Sequence, residues 1–363
     1  MYDNINYQLV TVKRRNEGIV SRGFFKGKDI LVKNYYQLNS GDFLISKRQV
    51  VHGATGLVPD HLDGAIVSNE YFVSIENDNI TTNFLTIISK LPQMYKMFFL
   101  SSYGIDIEKL VFNIADWKKR MIYIPKIDEQ EQIGTLFNKL DNTIALHQEK
   151  ALTLRRAKKS FLQSLFPTAH KSVPQLRFTN FKDNWNQREL GEIFTERSDR
   201  SSMGELISVT INSGVIKSSE LIRKDNSSSN KSNYKIVKKN DIAYNSMRMW
   251  QGASGYSVYD GILSPAYTVI TPREGIDAEL FSFLFKRNDM IQIFQKNSQG
   301  LTSDTWNLKF PTLSKIKINV PDNQEQLTIK KFLKHVDIMI TLQQTKIDKL
   351  QKIKKAYLQK MFI

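Results

Sequence analysis

Residues 46 to 52 read SKRQVVH and residues 245 to 251 read NSMRMWQ. Lys47, Arg48 and His52 in the first string, and Asn245, Arg248, Trp250 and Gln251 in the second, combine cations with amide, imidazole and indole groups. Such a mixture suits a nucleic-acid duplex. Cations hold phosphates without regard to sequence, whereas planar and amide side chains reach base edges, which alone carry sequence information. Both strings lie in longer segments, DFLISKRQVVHG (42–53) and DIAYNSMRMWQG (241–252), that align at an offset of 199 residues. A shared scaffold with different polar tips is what two readers of different half-sites would carry. For any single residue, a solvated β-loop with Trp250 packed inward is an equally good reading.

No other chemistry is written as plainly. An amino-methyltransferase needs an [ND]PP[YF]-type motif to hold its flipped base, and a translocase needs a GxxxxGK[ST] phosphate loop; neither string occurs. Cysteine is absent and the five histidines are scattered without HExxH spacing, so no metal and no cofactor is expected. Carboxylates are abundant, but no constellation of them with lysine stands out. The charge balance points elsewhere: 52 basic against 36 acidic residues give +16, which favours polyanionic partners. A basic protein without such a partner is the bland alternative. No apolar run approaches the roughly 18 residues of a membrane span, and the polar start does not resemble a signal peptide, so cytoplasmic residence is expected.

Behind the two loops stands a duplication. Residues 125–167 and 321–363 align without a gap at an offset of 196 residues, pairing Pro125 with Pro321, Glu129 with Glu325 and Gln130 with Gln326. Each copy begins with proline and an acid- and amide-rich first turn, which marks a helix start. Asp128 with Glu131, and Asn323 with Gln326, fit capping boxes. Steps of three and four then pick out an apolar stripe. It runs through Ile133, Phe137, Leu140, Ile144 and Leu154 to Phe161 and Leu165 in one copy. In the other it runs through Ile329, Leu333, Val336, Ile340, Ile347 and Leu350 to Tyr357 and Met361. His147 and Gln343 are polar at equivalent places. A stripe sustained over about four heptads predicts a coiled coil, most simply of the two copies with each other. Two ordinary amphipathic helices on separate domains are the alternative. Against that stands length, since about 37 residues make a rod of roughly 55 Å, too long for one small domain to cover.

Upstream of each helix lie short β-rich runs and a helical stretch, near 277–297 in the second copy and expected to be broken at Pro92 in the first. Residues 167–185 read as a linker. Lys13, Arg14, Arg15 and Arg22, and the loop 223–235, are further basic candidates for phosphate contact. Leu146, Leu162, Met339, Leu342 and Leu358 lie off the stripe, where they could meet partners or the chain's own globules.

The paired helix starts IP..DEQEQI and VPDNQEQLTI, the linker QLRFTNFKDNWNQRELGEIF (175–194) and the closing KKSFLQSLFP and KKAYLQKMFI together resemble a type I restriction-modification system specificity (S) subunit. The resemblance implies an α+β chain of two mixed α/β target recognition domains. Each would be followed by a long helix, the two helices pairing as an antiparallel coiled coil with pseudo-twofold symmetry. The expected division is a first recognition domain 1–124, a first spacer helix 125–167, a linker 168–184, a second recognition domain 185–320 and a second spacer helix 321–363. The resemblance further implies a non-catalytic subunit for DNA methylation and phage defence that reads a bipartite double-stranded DNA site. It would dock two methyltransferase subunits and, through them, restriction/translocase subunits. Half-sites one DNA turn apart, about 34–36 Å, fall within the reach of such a rod. A coiled-coil interaction adaptor without DNA specificity is the alternative. One departure stands out: Trp185 has no counterpart in the first copy, because 185 − 196 falls before Met1. The first domain is therefore expected to lack its opening segment.

Overall fold

A computed structural model describes residues 2–31, 34–168, 171–221, 228, 230–303 and 305–362. They form two units, Met1–His147 with Lys346–Ile363, and Gln148–Thr345. Each unit therefore takes the start of one long helix, Ile127–Ser164 or Asn323–Lys360, and the end of the other.

In the first unit the strand Phe43–Ser46 lies between Thr55–Leu57 and Tyr71–Ser74, antiparallel to both. Its residues Phe43, Leu44 and Ile45 are all fully buried, which explains an unbroken apolar run in place of alternation. A second sheet orders Ile19–Lys26, Asn6–Val12, Ile66–Ser68 and Tyr35–Gln37. In the second unit the matching central strand, Ile242–Asn245, lies between Ser254–Tyr256 and Tyr267–Pro272. Here a fourth strand, Phe194–Glu196, pairs with the outer edge of Tyr267–Pro272.

Two short helices follow the sheet in both units, Thr82–Ile88 with Pro92–Leu100, and Ala278–Leu284 with Asn288–Asn297. The break expected only at Pro92 thus occurs twice, and proline is not its cause. Leu91 and Arg287 hold the same extended backbone (φ −79°, ψ 147° and φ −70°, ψ 145°), and Pro92 simply fills the first helical position, where its missing N–H costs nothing.

The duplicated Gln130 and Gln326 lock each long helix to its own globule. The Gln326 amide donates to the carbonyls of Pro321 (3.0 Å) and Gly275 (3.1 Å), while its oxygen accepts the N–H of Asp277 (2.9 Å). Gln130 repeats this with Pro125 (2.8 Å), Asn79 (2.8 Å) and Thr81 (3.0 Å). Both side chains are buried, so Gln326→Ala or Gln130→Ala orphans three backbone groups. The expected loss is about 1–3 kcal/mol in the unit concerned. Urea unfolding of the two variants measures it, and a change below about 0.5 kcal/mol would refute the lock.

Within each unit the helix segments pair antiparallel. Asp141 meets Lys354 at 2.5 Å in the first unit, and the duplicate pair, Asp337 and Lys158, meets at 2.6 Å in the second. Ile133, Phe137, Ile144 and Ile347 are buried in the first unit, as are Ile329, Leu333 and Val336 in the second. Leu140, Leu154, Ile340 and Leu350 are half-buried. The stripe fails in the last turns of the second helix. Tyr357 and Met361 are 42% and 40% exposed, whereas Leu358 and Phe362 pack on the core that contains Ile133 and Phe137. A helix of 3.6 residues per turn falls about 20° behind a heptad repeat every seven residues, so four heptads shift the inward face by almost one residue. In the first copy Leu162 and, just beyond the helix, Phe166 also reach the second unit's core, but there the stripe residues Phe161 and Leu165 stay on the core with them, Leu165 being buried. The capping boxes also differ from expectation. Asp128 lies inside its helix, and Asp322 rather than Asn323 accepts the N–H of Glu325 (2.9 Å).

Candidate nucleic-acid interface

Both candidate loops fold as the same turn. The strand Ile242–Asn245 leads into the single turn Met249–Gln251, closed by Gly252 at φ 82°; the strand Phe43–Ser46 leads into Val50–His52, closed by Gly53 at φ 72°. Such left-handed closures favour glycine, which explains the glycine that ends both aligned segments. The backbone bonds match one for one. Arg248 N–H reaches the Asn245 carbonyl (2.9 Å) as Gln49 N–H reaches that of Ser46 (3.2 Å). Leu308 N–H holds the Ser246 carbonyl as Phe112 N–H holds that of Lys47, both at 2.8 Å. The preceding Asp241 and Asp42 accept the N–H of Lys238 and of Asn39, each at 2.8 Å.

The tips differ in how free they are. Arg248 is exposed, and its guanidinium has no carboxylate partner among the described residues. Asn245 is half-buried and uses its side-chain oxygen to accept the Met247 N–H (3.0 Å). Trp250 is half-buried edge-on to Trp306 at 5.2 Å, and its indole N–H donates to the Met247 carbonyl. Gln251 is half-buried. In the first unit both cations are engaged: Lys47 donates to the Asn69 carbonyl (2.6 Å) and Arg48 pairs with Glu70 (2.6 Å). The His52 Nε2 lies 3.4 Å from Glu108 without a hydrogen bond.

Each turn is braced from a neighbouring segment, a role that the sequence did not assign to the residues concerned. Burial pushes the Lys286 ammonium down to about 8, and it donates to the carbonyls of Gly252 (2.6 Å) and Ile211 (2.8 Å), tying the turn to the neighbouring hairpin. The first unit makes that link directly, through Arg15 N–H to the His52 carbonyl (2.7 Å) and Asn16 N–H to that of Gly53 (2.8 Å). The basic run at Arg14 and Arg15 thus lies against the first turn, and Arg14 pairs with Glu108 at 3.0 Å. Lys90, the duplicate of Lys286, is held below the ordinary lysine range by burial and by the nearby Lys354, against the opposing pull of Asp141. Asn245 also borders a hollow of about 1070 Å³ whose lining mixes polar residues such as Ser208, Ser218, Asn233 and Ser264 with apolar ones such as Leu206 and Leu221. Of the loop 223–235, residues 223–227 and 229 lie outside the described residues.

A model of the type I restriction modification DNA specificity domain matches residues 1–156 and 182–352. Solved structures agree in fold. The HsdS subunit from Thermoanaerobacter tengcongensis shares 16% identity over 99% of this chain and 91% of its own, with a TM-score of 0.50. The type I restriction-modification S subunit from M. genitalium shares 15% identity over 98% and 94%, with a TM-score of 0.58. A chain from work on complex assembly and conformational transition of the type I R-M system shares 16% over 99% and 92%, with a TM-score of 0.54. The family match falls once on each copy of the duplication and spans nearly the whole sequence: the chain belongs to the DNA specificity subunits of type I restriction-modification systems.

Proposed function

We propose that this specificity subunit reads a bipartite double-stranded DNA target, one half through the turn at residues 46–53 and the other through the turn at 245–252. The observation that carries this reading is the pair of turns with matching backbone bonds and different tips, Arg248, Trp250 and Gln251 against Gln49, Val51 and His52. A constant scaffold with exchanged side chains is how one fold presents two specificities. The net charge of +16 supplies sequence-independent attraction to phosphates, so binding by the subunit alone weakens steeply with salt. We place the recognition domains at 1–124 and 185–320 and the spacer helices at 125–167 and 321–363. On the second helix Ile338, Met339 and Leu342 are 49%, 38% and 54% exposed, an apolar surface suited to one of two methyltransferase subunits. The restriction/translocase subunits then join through that core.

The test is to reconstitute the chain with the modification subunits of its system and map the methylated sites. Arg248→Ala should lower methylation about 10- to 100-fold, the cost of one lost base contact, and relax specificity in one half of the split target only. Indiscriminate methylation by the unaltered complex, or equal relaxation of both halves, would refute the reading.

A further inference from the structure

Each recognition turn has a second loop beside it. In the first unit this is the tip of the hairpin formed by Asn6–Val12 and Ile19–Lys26; in the second it is the tip of the hairpin formed by Ile207–Thr210 and Gly214–Lys217. The two tips are seated alike. Gly18 (φ 86°) and Gly214 (φ 66°) close them in left-handed backbone, and each backs onto a glycine of the strand after the turn. A Cβ added to Gly56 would lie 3.3 Å from the Gly18 Cα, and one added to Gly255 would lie 2.8 Å from that of Gly214, so both approaches favour glycine. Each tip is also tied to its turn, by Lys286 in the second unit and by the N–H groups of Arg15 and Asn16 in the first.

What differs is which loop carries the unspent cation. The second tip, 211–213, has none, and its turn carries Arg248. On the first unit's turn Lys47 and Arg48 are both engaged, and on its tip Lys13 pairs with Glu17 (4.0 Å) and Arg14 with Glu108 (3.0 Å). Arg15 is exposed and, among the described residues, its guanidinium has no partner. Its position is nevertheless fixed. Arg15 and Asn16 hold φ 60° and 58°, a left-handed pair that residues with side chains adopt at a cost, and their bonds to the carbonyls of His52 and Gly53 keep them there. Between tip and turn lies a hollow of about 510 Å³ bordered by Arg15, Asn16, His52 and Tyr95. Asn16 Oδ1 and His52 Nε2 are buried at this junction without a hydrogen-bond partner among the described residues, a state that a bound polar group would relieve. In the second unit residues 186–196 run elsewhere, pairing with Lys317–Val320 and Tyr267–Pro272, and leave 211–213 exposed. The freedom of a tip therefore does not depend on that segment.

We propose that Arg15, delivered from the hairpin tip and not from the turn, reads a base edge in the first half-site, its guanidinium fork pairing with O6 and N7 of a guanine. The proposal rests on the bipartite reading above and adds that the two units take their arginine from opposite loops of the same tip-and-turn pair. A phosphate needs only a charge near it, whereas a base edge needs a donor fork held in one place. The constrained backbone of Arg15, at the junction where the polar side chains of tip and turn gather, meets the second requirement.

The test maps methylated sites with the chain reconstituted with the modification subunits of its system, in parallel for Arg15→Lys, Arg15→Ala and Arg248→Ala. Arg15→Lys keeps the charge and loses the fork. It should relax one base position about 10- to 100-fold, the discrimination of one bidentate contact, in the half that Arg248→Ala leaves selective. Arg15→Ala should relax the same position, and intact selectivity in the other half shows in the same experiment that the variant folds and assembles. An unchanged site preference in Arg15→Lys would overturn the proposal. So would relaxation in the half that Arg248→Ala relaxes, or a loss in Arg15→Ala that is even across sites and restored by lysine, the signature of a phosphate contact. Indiscriminate methylation by the unaltered complex would sink the bipartite reading and this proposal with it, whereas a selective complex indifferent to Arg15 would sink this proposal alone.

Discussion

Glu325→Ala is expected to destabilise the second unit by about 3–5 kcal/mol, the cost of stripping one partner from a buried ion pair. The carboxylate is fully buried, the Arg177 side chain is 11% exposed, and the Trp185 indole N–H has Glu325 as its acceptor. The pairing holds the Arg177 guanidinium above its ordinary pKa, chiefly because Glu325 accepts its hydrogen bonds. Removing the carboxylate leaves a desolvated cation and an indole donor unanswered at one point, and it loosens the linker that positions Asn186–Glu189. The duplicate substitution, Glu129→Ala, should change stability by less than about 0.5 kcal/mol, since nothing among the described residues rests on that carboxylate. Two units need not unfold together, so a single melting temperature is the wrong observable. Hydrogen exchange resolved by unit separates them. Equal effects at 129 and 325 would show that the two helix starts are held alike, against the asymmetry described above.

The identical EQ pairs were visible in the sequence, but their separate duties were not. Gln130 and Gln326 serve contacts no more than 51 positions away, within their own repeat, and so recur faithfully, whereas Glu325 depends on residues 140 and 148 positions away in the chain. Long-range pairing of this kind leaves no periodic trace. The loop alignment at offset 199 placed both turns correctly, because a strand, a polar run and a left-handed glycine are local signals. It could not tell that Arg48 is spent on Glu70 while Arg248 is free of a carboxylate, since Glu70 belongs to a different part of the first unit. The helix break at Arg287 was missed for a related reason. Pro92 advertises such a break plainly, whereas in the second unit only Asn288 and Asp289, weaker helix formers common at helix starts, mark it beside the buried Arg287 that pairs with Asp289.

The drift of the inward face leads to the other large effect. Phe137 is 2% exposed in the core formed with Phe84, Ile133 and Met94, with Leu358 of the second helix and Phe362 just beyond its end packed against it. Phe137→Ala should therefore cost the first unit about 3–5 kcal/mol, the sum of lost transfer energy and the cavity left behind. Tyr357→Ala should cost less than about 1 kcal/mol, although a strict heptad count puts both residues on the stripe, because Tyr357 is 42% exposed. Urea unfolding read by exchange at amides of the first unit distinguishes the two. A Tyr357 effect as large as that of Phe137 would mean that the seam keeps its heptad register to the end of the helix. The order predicted here follows from a helix that remains near 3.6 residues per turn and hands its last turns, through Leu358 and Phe362, from the facing helix to the globule.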